Sequence, residues 1–108
     1  MFTTLISQKI HLPEDQLGDF CRRWQITEFA FFGSVLREDF HAGSDIDILV
    51  RFASNADWSL LDHVQMEREL SDIVGRKVEL VSRRAIEGSK NWIRRRDILS
   101  TARTIYAS

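Results

Sequence analysis

The segment ITEFAFFGSVLREDFHAGSDIDILVRF, residues 26–52, carries most of the information about fold and function in this chain. Residues 26–32 are aromatic and β-branched, which predicts a β-strand that Gly33 ends abruptly. A second strand is predicted over 45–52. The connection between the two strands is too short for a parallel crossover, so we expect them to be antiparallel.

Two acids open the second predicted strand. Because side chains alternate between the faces of a strand, Asp45 and Asp47 share one face while Ile46, Ile48 and Val50 belong to the core on the other. Carboxylates two residues apart, roughly 7 Å at the backbone, can bind one or two hard cations such as Mg²⁺. Alternatively, the pair is a solvated strand end with two unrelated acids, which is the commoner meaning of Asp-x-Asp alone.

The pair Gly33-Ser34 favours the metal-site interpretation of the two acids over the solvated strand end. Glycine lets the backbone approach a phosphate closely, the turn offers free amide N–H groups, and the Ser34 hydroxyl adds one more donor. Alone, Gly-Ser after a strand is an ordinary turn. Together with Asp45 and Asp47 at the start of the neighbouring strand, it predicts a site for a nucleoside triphosphate and its divalent metal.

Helices and a third strand are predicted on both sides of this segment. Pro13 followed by two acids is typical of a helix start, and Gly75 lies where a helix C-cap is expected. In chain order we predict a helix over 14–24, a strand over 26–32, a short helical turn over 35–37, a strand over 45–52, a helix over 58–74, a strand over 77–81 and a helix over 91–106. This order predicts an α+β domain in which helices pack on a small mixed or antiparallel sheet of three strands.

Helical spacing predicts the buried face of each helix. The residues expected in the core are Leu17, Phe20, Cys21 and Trp24 of the first helix, Leu61, Val64, Leu70, Ile73 and Val74 of the second, and Trp92, Leu99, Ala102 and Tyr106 of the third.

Length and composition narrow the class of protein. With 108 residues we expect one domain, 1–108, and a net charge of −1 disfavours direct binding to nucleic acid. The single cysteine excludes an internal disulfide. We find neither a signal peptide nor an apolar run near the roughly 20 residues that span a bilayer. We therefore expect a soluble, cytoplasmic protein with no membrane partner.

Basic residues concentrate near the C-terminus, and their meaning stays open. A solvated helix face, a surface for a partner protein and an RNA-contacting patch are the alternatives, although the expected burial of Trp92 disfavours base stacking. The cluster comprises Arg83, Arg84, Lys90, Arg94, Arg95 and Arg96.

The motif Gly-Ser, ten residues, Asp-x-Asp in 33–47 resembles the signature of the DNA polymerase β-like nucleotidyltransferase superfamily. The short chain looks like the minimal nucleotidyltransferases (MNT), and especially like MntA-type antitoxins of HEPN/MNT toxin–antitoxin systems. Leu-Ser-x-x-x-Gly-Arg-Lys-Val at 70–78 and the closing Ile-Tyr-Ala extend the resemblance over nearly the whole chain. It implies the polymerase β-like fold.

The resemblance also implies further site residues. Glu79 stands where the superfamily has its third metal-binding carboxylate, usually Asp, and strand periodicity independently puts it on the face of Asp45 and Asp47. The extra methylene of Glu departs from that pattern. Arg37 matches a frequent arginine and either contacts phosphate or pairs with its acidic neighbours, and Ser44 joins Gly33 and Ser34 among the expected nucleotide contacts.

The function implied is transfer of AMP from Mg-ATP, with two Mg²⁺ ions, onto a hydroxyl of another protein. The relatives imply that the acceptor is a tyrosine of a HEPN-type ribonuclease toxin, which the transfer neutralises. A non-catalytic antitoxin that neutralises its partner by binding is the alternative. Nucleotidyl transfer to a small molecule is less favoured, since 108 residues leave no room for an acceptor domain.

Overall fold

In the computed structural model, which describes residues 13–33 and 45–107, four strands form one mixed sheet. β1 pairs antiparallel with β2 and β4, and β2 pairs parallel with β3, in the spatial order β3-β2-β1-β4. The antiparallel pairing of β1 with β2 confirms the prediction, but the sheet has four strands where three were predicted. The strands are β1 (Ile26–Phe32), β2 (Ile46–Phe52), β3 (Val78–Ser82) and β4 (Arg103–Ala107).

The same described residues form four helices on the two faces of the sheet. α1 and α2 begin and end close to the predicted positions, and α3 was not predicted. The helical turn predicted at 35–37 lies outside the described residues. The helices are α1 (Glu14–Arg23), α2 (Leu60–Val74), α3 (Arg83–Glu87) and α4 (Trp92–Thr101).

Local signals explain where α2 begins and ends. The Ser59 hydroxyl accepts from the amide of Asp62, and the Asp62 carboxylate accepts from the amide of Ser59, which completes a capping box. At the other end, Gly75 adopts a left-handed conformation with φ of 73°, and its amide bonds to Ser71. Gly75 is thus the C-cap that the sequence predicted.

The prediction of one helix over 91–106 was wrong, because α4 ends at Thr101 and β4 follows. Ala102 turns the chain to an extended conformation with ψ of 135°. The next residues include β-branched and aromatic side chains that favour a strand. β4 pairs with the edge of β1, which satisfies the backbone groups where the two strands face each other and buries Ile105.

The main core lies between one face of the sheet and the pair α1 and α2. Ile46, Ile48 and Val50 point into it, as strand periodicity predicted. Leu61 and Val64 do not, which contradicts the predicted face of α2, since they are 81% and 49% exposed. The helices contribute Leu17, Phe20, Cys21, Met66, Leu70 and Val74 to this core, with Trp24 and Ile73 packed partly buried against it.

A smaller core covers the other face of the sheet. Leu49 points to this side, as predicted, and it is buried by Ile86 of α3 and Ile98 of α4. Leu99 and Ala102 also pack there, whereas Trp92 is 56% exposed, contrary to prediction. The face that carries Asp47 is therefore partly apolar and covered by α3 and α4.

The outer edge of β3 is held by three polar side chains of α2. The Ser71 hydroxyl accepts from the amide of Val78 at 3.1 Å, and the Glu67 carboxylate accepts from the amide of Leu80 at 2.8 Å. His63 Nε2 lies 2.8 Å from the Leu80 carbonyl oxygen. The spacing of four residues places all three on one side of α2, and together they fix β3 in its register.

Across the described residues 13–33 and 45–107, no helix has the length and apolar character needed to cross a membrane.

Candidate active site

The site begins where β1 ends beside the start of β2. Phe32 is the register partner of Asp47, so Gly33 follows directly next to that carboxylate. Gly33 has φ of 72°, and a Cβ built there would overlap Oδ2 of Asp47 and lie 3.2 Å from its Cγ. Only glycine brings the backbone this close to the carboxylate in this conformation.

Glu79 lies on the neighbouring strand at the matching position. Asp47 and Glu79 are register partners in the parallel pair of β2 and β3, so their side chains leave the sheet on the same face. Asp47 is half-buried, while Asp45 and Glu79 are exposed. Among residues 13–33 and 45–107, however, no three acidic, histidine or cysteine side chains converge as metal ligands would.

The residues nonetheless fit a divalent cation. Carboxylate oxygens are the ligands that Mg²⁺ prefers, and two carboxylates come from adjacent strands at one end of the sheet. Because position 33 has no Cβ, the Asp47 carboxylate can lie directly against the backbone of Gly33. Three further predicted contacts, Ser34, Arg37 and Ser44, lie outside the described residues.

A groove of about 520 Å³ opens from this point between the sheet and α4. Gly33 and Asp47 line one side of it, and Asn91, Ile93 and Arg94 line the other. The sequence predicted site residues on the first side only, namely Gly33 and Asp47. Nothing in the sequence pattern reveals that the start of α4 lies across from Gly33, since this depends on β4 pairing with β1.

A second groove, of about 480 Å³, lies at the other end of β2. Two of its cations have acidic partners: Arg51 lies 3.3 Å from Glu28, and Arg83 lies 3.8 Å from both Glu28 and Glu87. None of the predicted site residues that the structure describes lines it. The groove beside Asp47 is therefore the candidate active site.

The groups with displaced pKa values lie in the α1–α2 layer, on the opposite face of the sheet. The hydrogen bond from Arg23 lowers the pKa of Glu69, which also accepts from Trp24 Nε1 at 3.2 Å. Burial raises the pKa of the Cys21 thiol to about 12. Both groups have structural roles. The hydrogen bonds of Glu69 join α2 to the end of α1, and the Cys21 side chain fills part of the main core.

Residues 14–104 match the sequence profile of the family described as nucleotidyltransferase domain. In addition, the solved structure of a predicted minimal nucleotidyltransferase is 31% identical, with a TM-score of 0.63 over 93% of this chain and 91% of that chain. The chain therefore belongs to the nucleotidyltransferase-domain family, among its minimal members, and its α+β fold is theirs.

Curated relatives of similar sequence include two predicted protein adenylyltransferases of Methanocaldococcus jannaschii. One is 38% identical over 64 residues, covering 59% of this chain and 63% of the relative, and the other is 40% identical over 65 residues, covering 60% and 64%. The match thus spans less than two thirds of the length of these relatives.

Two solved complexes share the fold at lower identity. A toxin–antitoxin complex with AMP-PNP superposes with a TM-score of 0.67 at 17% identity, over 90% of this chain and 75% of that chain. A complex of a tri-AMPylated Shewanella oneidensis HEPN toxin with an MNT antitoxin gives 0.59 at 14% identity, over 88% and 70%. At these identities the likeness concerns the fold alone.

Proposed function

We propose that this chain is a nucleotidyltransferase that moves AMP from Mg-ATP onto a hydroxyl of a partner protein. The observation that carries the proposal is the Gly33 backbone held against Asp47, with Glu79 beside it on the next strand. In a nucleotidyltransferase-domain protein, this arrangement supports a phosphate turn placed next to metal-binding carboxylates.

Each residue has a separate task in the proposed reaction. Asp45, Asp47 and Glu79 would together hold two Mg²⁺ ions. When bound, these ions would neutralise charge on the triphosphate. Gly33 and Ser34 bind the outer phosphates through backbone and hydroxyl donors. Arg37 and Ser44 are proposed as further nucleotide contacts.

The chemical step is an in-line displacement at the α-phosphorus. The acceptor hydroxyl oxygen forms the new bond to the α-phosphorus, the bond from that phosphorus to the bridging oxygen breaks, and pyrophosphate leaves with that oxygen. The Glu79 carboxylate takes the hydroxyl proton. Positioning and charge neutralisation do most of the work, as in phosphoryl transfer generally.

The acceptor is proposed to be a HEPN-type ribonuclease toxin, modified on a tyrosine. Curated relatives carry the name protein adenylyltransferase, and a neighbour of the same fold stands in complex with a tri-AMPylated HEPN toxin. We further propose that residues 1–108 act as one catalytic domain in the cytoplasm, without direct contact to nucleic acid.

Intact-mass measurement of the acceptor tests this proposal. The protein encoded beside this chain's gene, which we propose to be of the HEPN type, is incubated with the chain, ATP and Mg²⁺. We expect a gain of one or more AMP units, which Asp45→Ala and Asp47→Ala abolish. An unchanged mass despite a tight complex would instead establish a module that neutralises its partner by binding alone.

The binding-only alternative has one observation in its favour. Large apolar side chains of α2 are exposed, notably Leu60 at 79% and Leu61 at 81%. Such exposure is typical of protein contact surfaces, and a partner held there needs no nucleotide chemistry.

A further inference from the structure

The start of α4 overhangs the candidate active site. Ile98 anchors the helix in the smaller core, and Asn91 caps its first turn by accepting from the amide of Arg94 at 3.1 Å. Ile93 and Arg94 line the groove that Asp47 and Gly33 line from the other side. Any molecule that reaches the groove from this side passes the first turn of α4.

Two large apolar side chains are exposed on this turn. Trp92 is 56% exposed and Ile93 is 51% exposed, whereas Ile98 further along α4 is buried. Exposed tryptophan next to an apolar neighbour is the composition found at the centre of protein–protein interfaces, where its burial contributes strongly to binding.

Two of the six basic residues of the C-terminal region are held by other groups of the chain. Arg83 is held by Glu28 and Glu87, and Arg95 donates to the Ser89 carbonyl oxygen at 3.2 Å, so both have structural roles. Arg96 is exposed and lies over the Trp92 ring at 5.3 Å.

Lys90, Arg94 and Arg96 are all exposed, and none of them forms an ion pair with another residue in the described ranges 13–33 and 45–107. An arginine stacked on tryptophan keeps the edge of its guanidinium available to carboxylates. Asp97 also lines the groove, but these three cations outnumber it, so the net positive charge beside the groove complements an acidic surface.

We propose that the α4 rim, defined as Lys90, Trp92, Ile93 and Arg96, docks the protein acceptor through an acidic surface around its reactive hydroxyl. This inference rests on the proposed function, because an acceptor hydroxyl must enter the groove beside Asp47. The exposed Leu60 and Leu61 belong to α2, which packs on the opposite face of the sheet, so a partner bound there does not face the groove.

Binding without nucleotide separates docking from chemistry. The dissociation constant of the proposed acceptor, the protein encoded beside this chain's gene, is measured by titration with no ATP present. Trp92→Ala and Arg96→Glu are each expected to raise it about tenfold or more, as for central interface residues. The matched controls are Leu61→Ala and Arg68→Glu, exposed residues of α2, which are expected to leave it unchanged.

Steady-state kinetics of AMP transfer is the second measurement. The two rim variants are expected to raise the KM for the acceptor while the KM for ATP stays within about twofold. Circular dichroism and melting confirm that the variants fold, which the exposure of both side chains favours.

Several results would overturn docking on the α4 rim. These are no complex with the unsubstituted chain, unchanged acceptor binding in both rim variants, a larger effect of Leu61→Ala, or an equal rise in the KM for ATP. Loss of binding to a labelled RNA oligonucleotide in Arg96→Glu, with acceptor binding intact, would assign the rim to RNA. If the rim variants lose binding but no AMP is transferred by any chain, docking stands and the proposed function fails.

Discussion

At the scale of single residues, Gly33 and Gly75 allow the effect of backbone conformation to be separated from the effect of contact with Asp47. Both adopt a left-handed backbone, with φ of 72° and 73°, but only a Cβ at position 33 meets another group, the Asp47 carboxylate. We predict that Gly33→Ala and Gly75→Ala each lower the unfolding free energy by about 1 kcal/mol through backbone strain. Urea denaturation of both variants measures this.

The two variants are expected to differ in activity. Gly33→Ala forces the Asp47 carboxylate away from its position, and a displacement of that kind costs about 100-fold in rate. Gly75→Ala leaves AMP transfer unchanged, because no atom outside its own neighbours lies within 4 Å of the added Cβ. Equal activity of the two variants would show that the Asp47 position does not govern the reaction.

Cys21 offers a second prediction at this scale. Burial raises the pKa of its thiol from 9.0 to about 12, so the folded chain keeps the proton where the unfolded chain loses it. The unfolded state therefore binds fewer protons above about pH 9, and the stability that Cys21 contributes is present below that pH and lost between 9 and 12. We expect the unfolding free energy of the unsubstituted chain to fall more steeply above pH 9 than that of Cys21→Ala. Parallel slopes in urea titrations at pH 8 to 10.5 would contradict this.

The sequence pointed to the acids because strands have a strict period of two. Asp47 and Glu79 are two such positions, and their register partnership agrees with the face predicted for each. The sequence placed Arg94 in a basic cluster only, because its position across the groove from Asp47 depends on how α4 packs and not on any local pattern. Their chemical roles remain predictions.

At the scale of elements, β3 depends on the polar side of α2. Glu67 accepts from the Leu80 amide at 2.8 Å, next to Glu79 in the chain. Glu67→Ala leaves this partly buried amide without its acceptor, which is expected to cost about 1–3 kcal/mol and to lower AMP transfer by loosening β3. Glu67→Gln keeps an acceptor and should lose less than half as much.

Hydrogen exchange of the Leu80 amide is the specific measurement. It should accelerate in Glu67→Ala and stay slow in Arg68→Ala, which changes the exposed neighbour of Glu67. Unchanged protection in Glu67→Ala would show that the bond does not hold the edge of β3.

Elements were predictable where local signals agree with the fold. The capping box at Ser59 and the left-handed Gly75 frame α2 within two residues of the predicted bounds. The extended conformation after Thr101 was missed because it depends on a segment far away in the chain. β4 forms by pairing with the edge of β1. Leu61 was misassigned because helical spacing alone does not tell which of several apolar residues face the core.

At the scale of the whole molecule, β4 completes the sheet as its edge strand next to β1. Ile105 is 1% exposed in the main core, whereas Thr104, next to it, is exposed. We predict that Ile105→Ala lowers the unfolding free energy by about 2–5 kcal/mol through the cavity it leaves, while Thr104→Ala costs at most about 1 kcal/mol. Urea denaturation compares the two variants, and similar losses would contradict a core role for β4.

Truncation after Ala102 extends this test. It exposes the edge of β1, whose backbone groups then lack partners, so light scattering should reveal aggregation of the shortened chain. A monomeric, folded product would show that β4 is dispensable for the sheet.

The position of a radiolabel distinguishes nucleotidyl transfer through the carboxylate beside Gly33 from other phosphate chemistry. The chain, Mg²⁺ and the HEPN-type acceptor are incubated with ATP labelled in either the α- or the γ-phosphate. We predict label on the acceptor from the α-phosphate only, reduced at least about 100-fold by Asp47→Asn. Label from the γ-phosphate, or undiminished transfer by Asp47→Asn, would contradict the account.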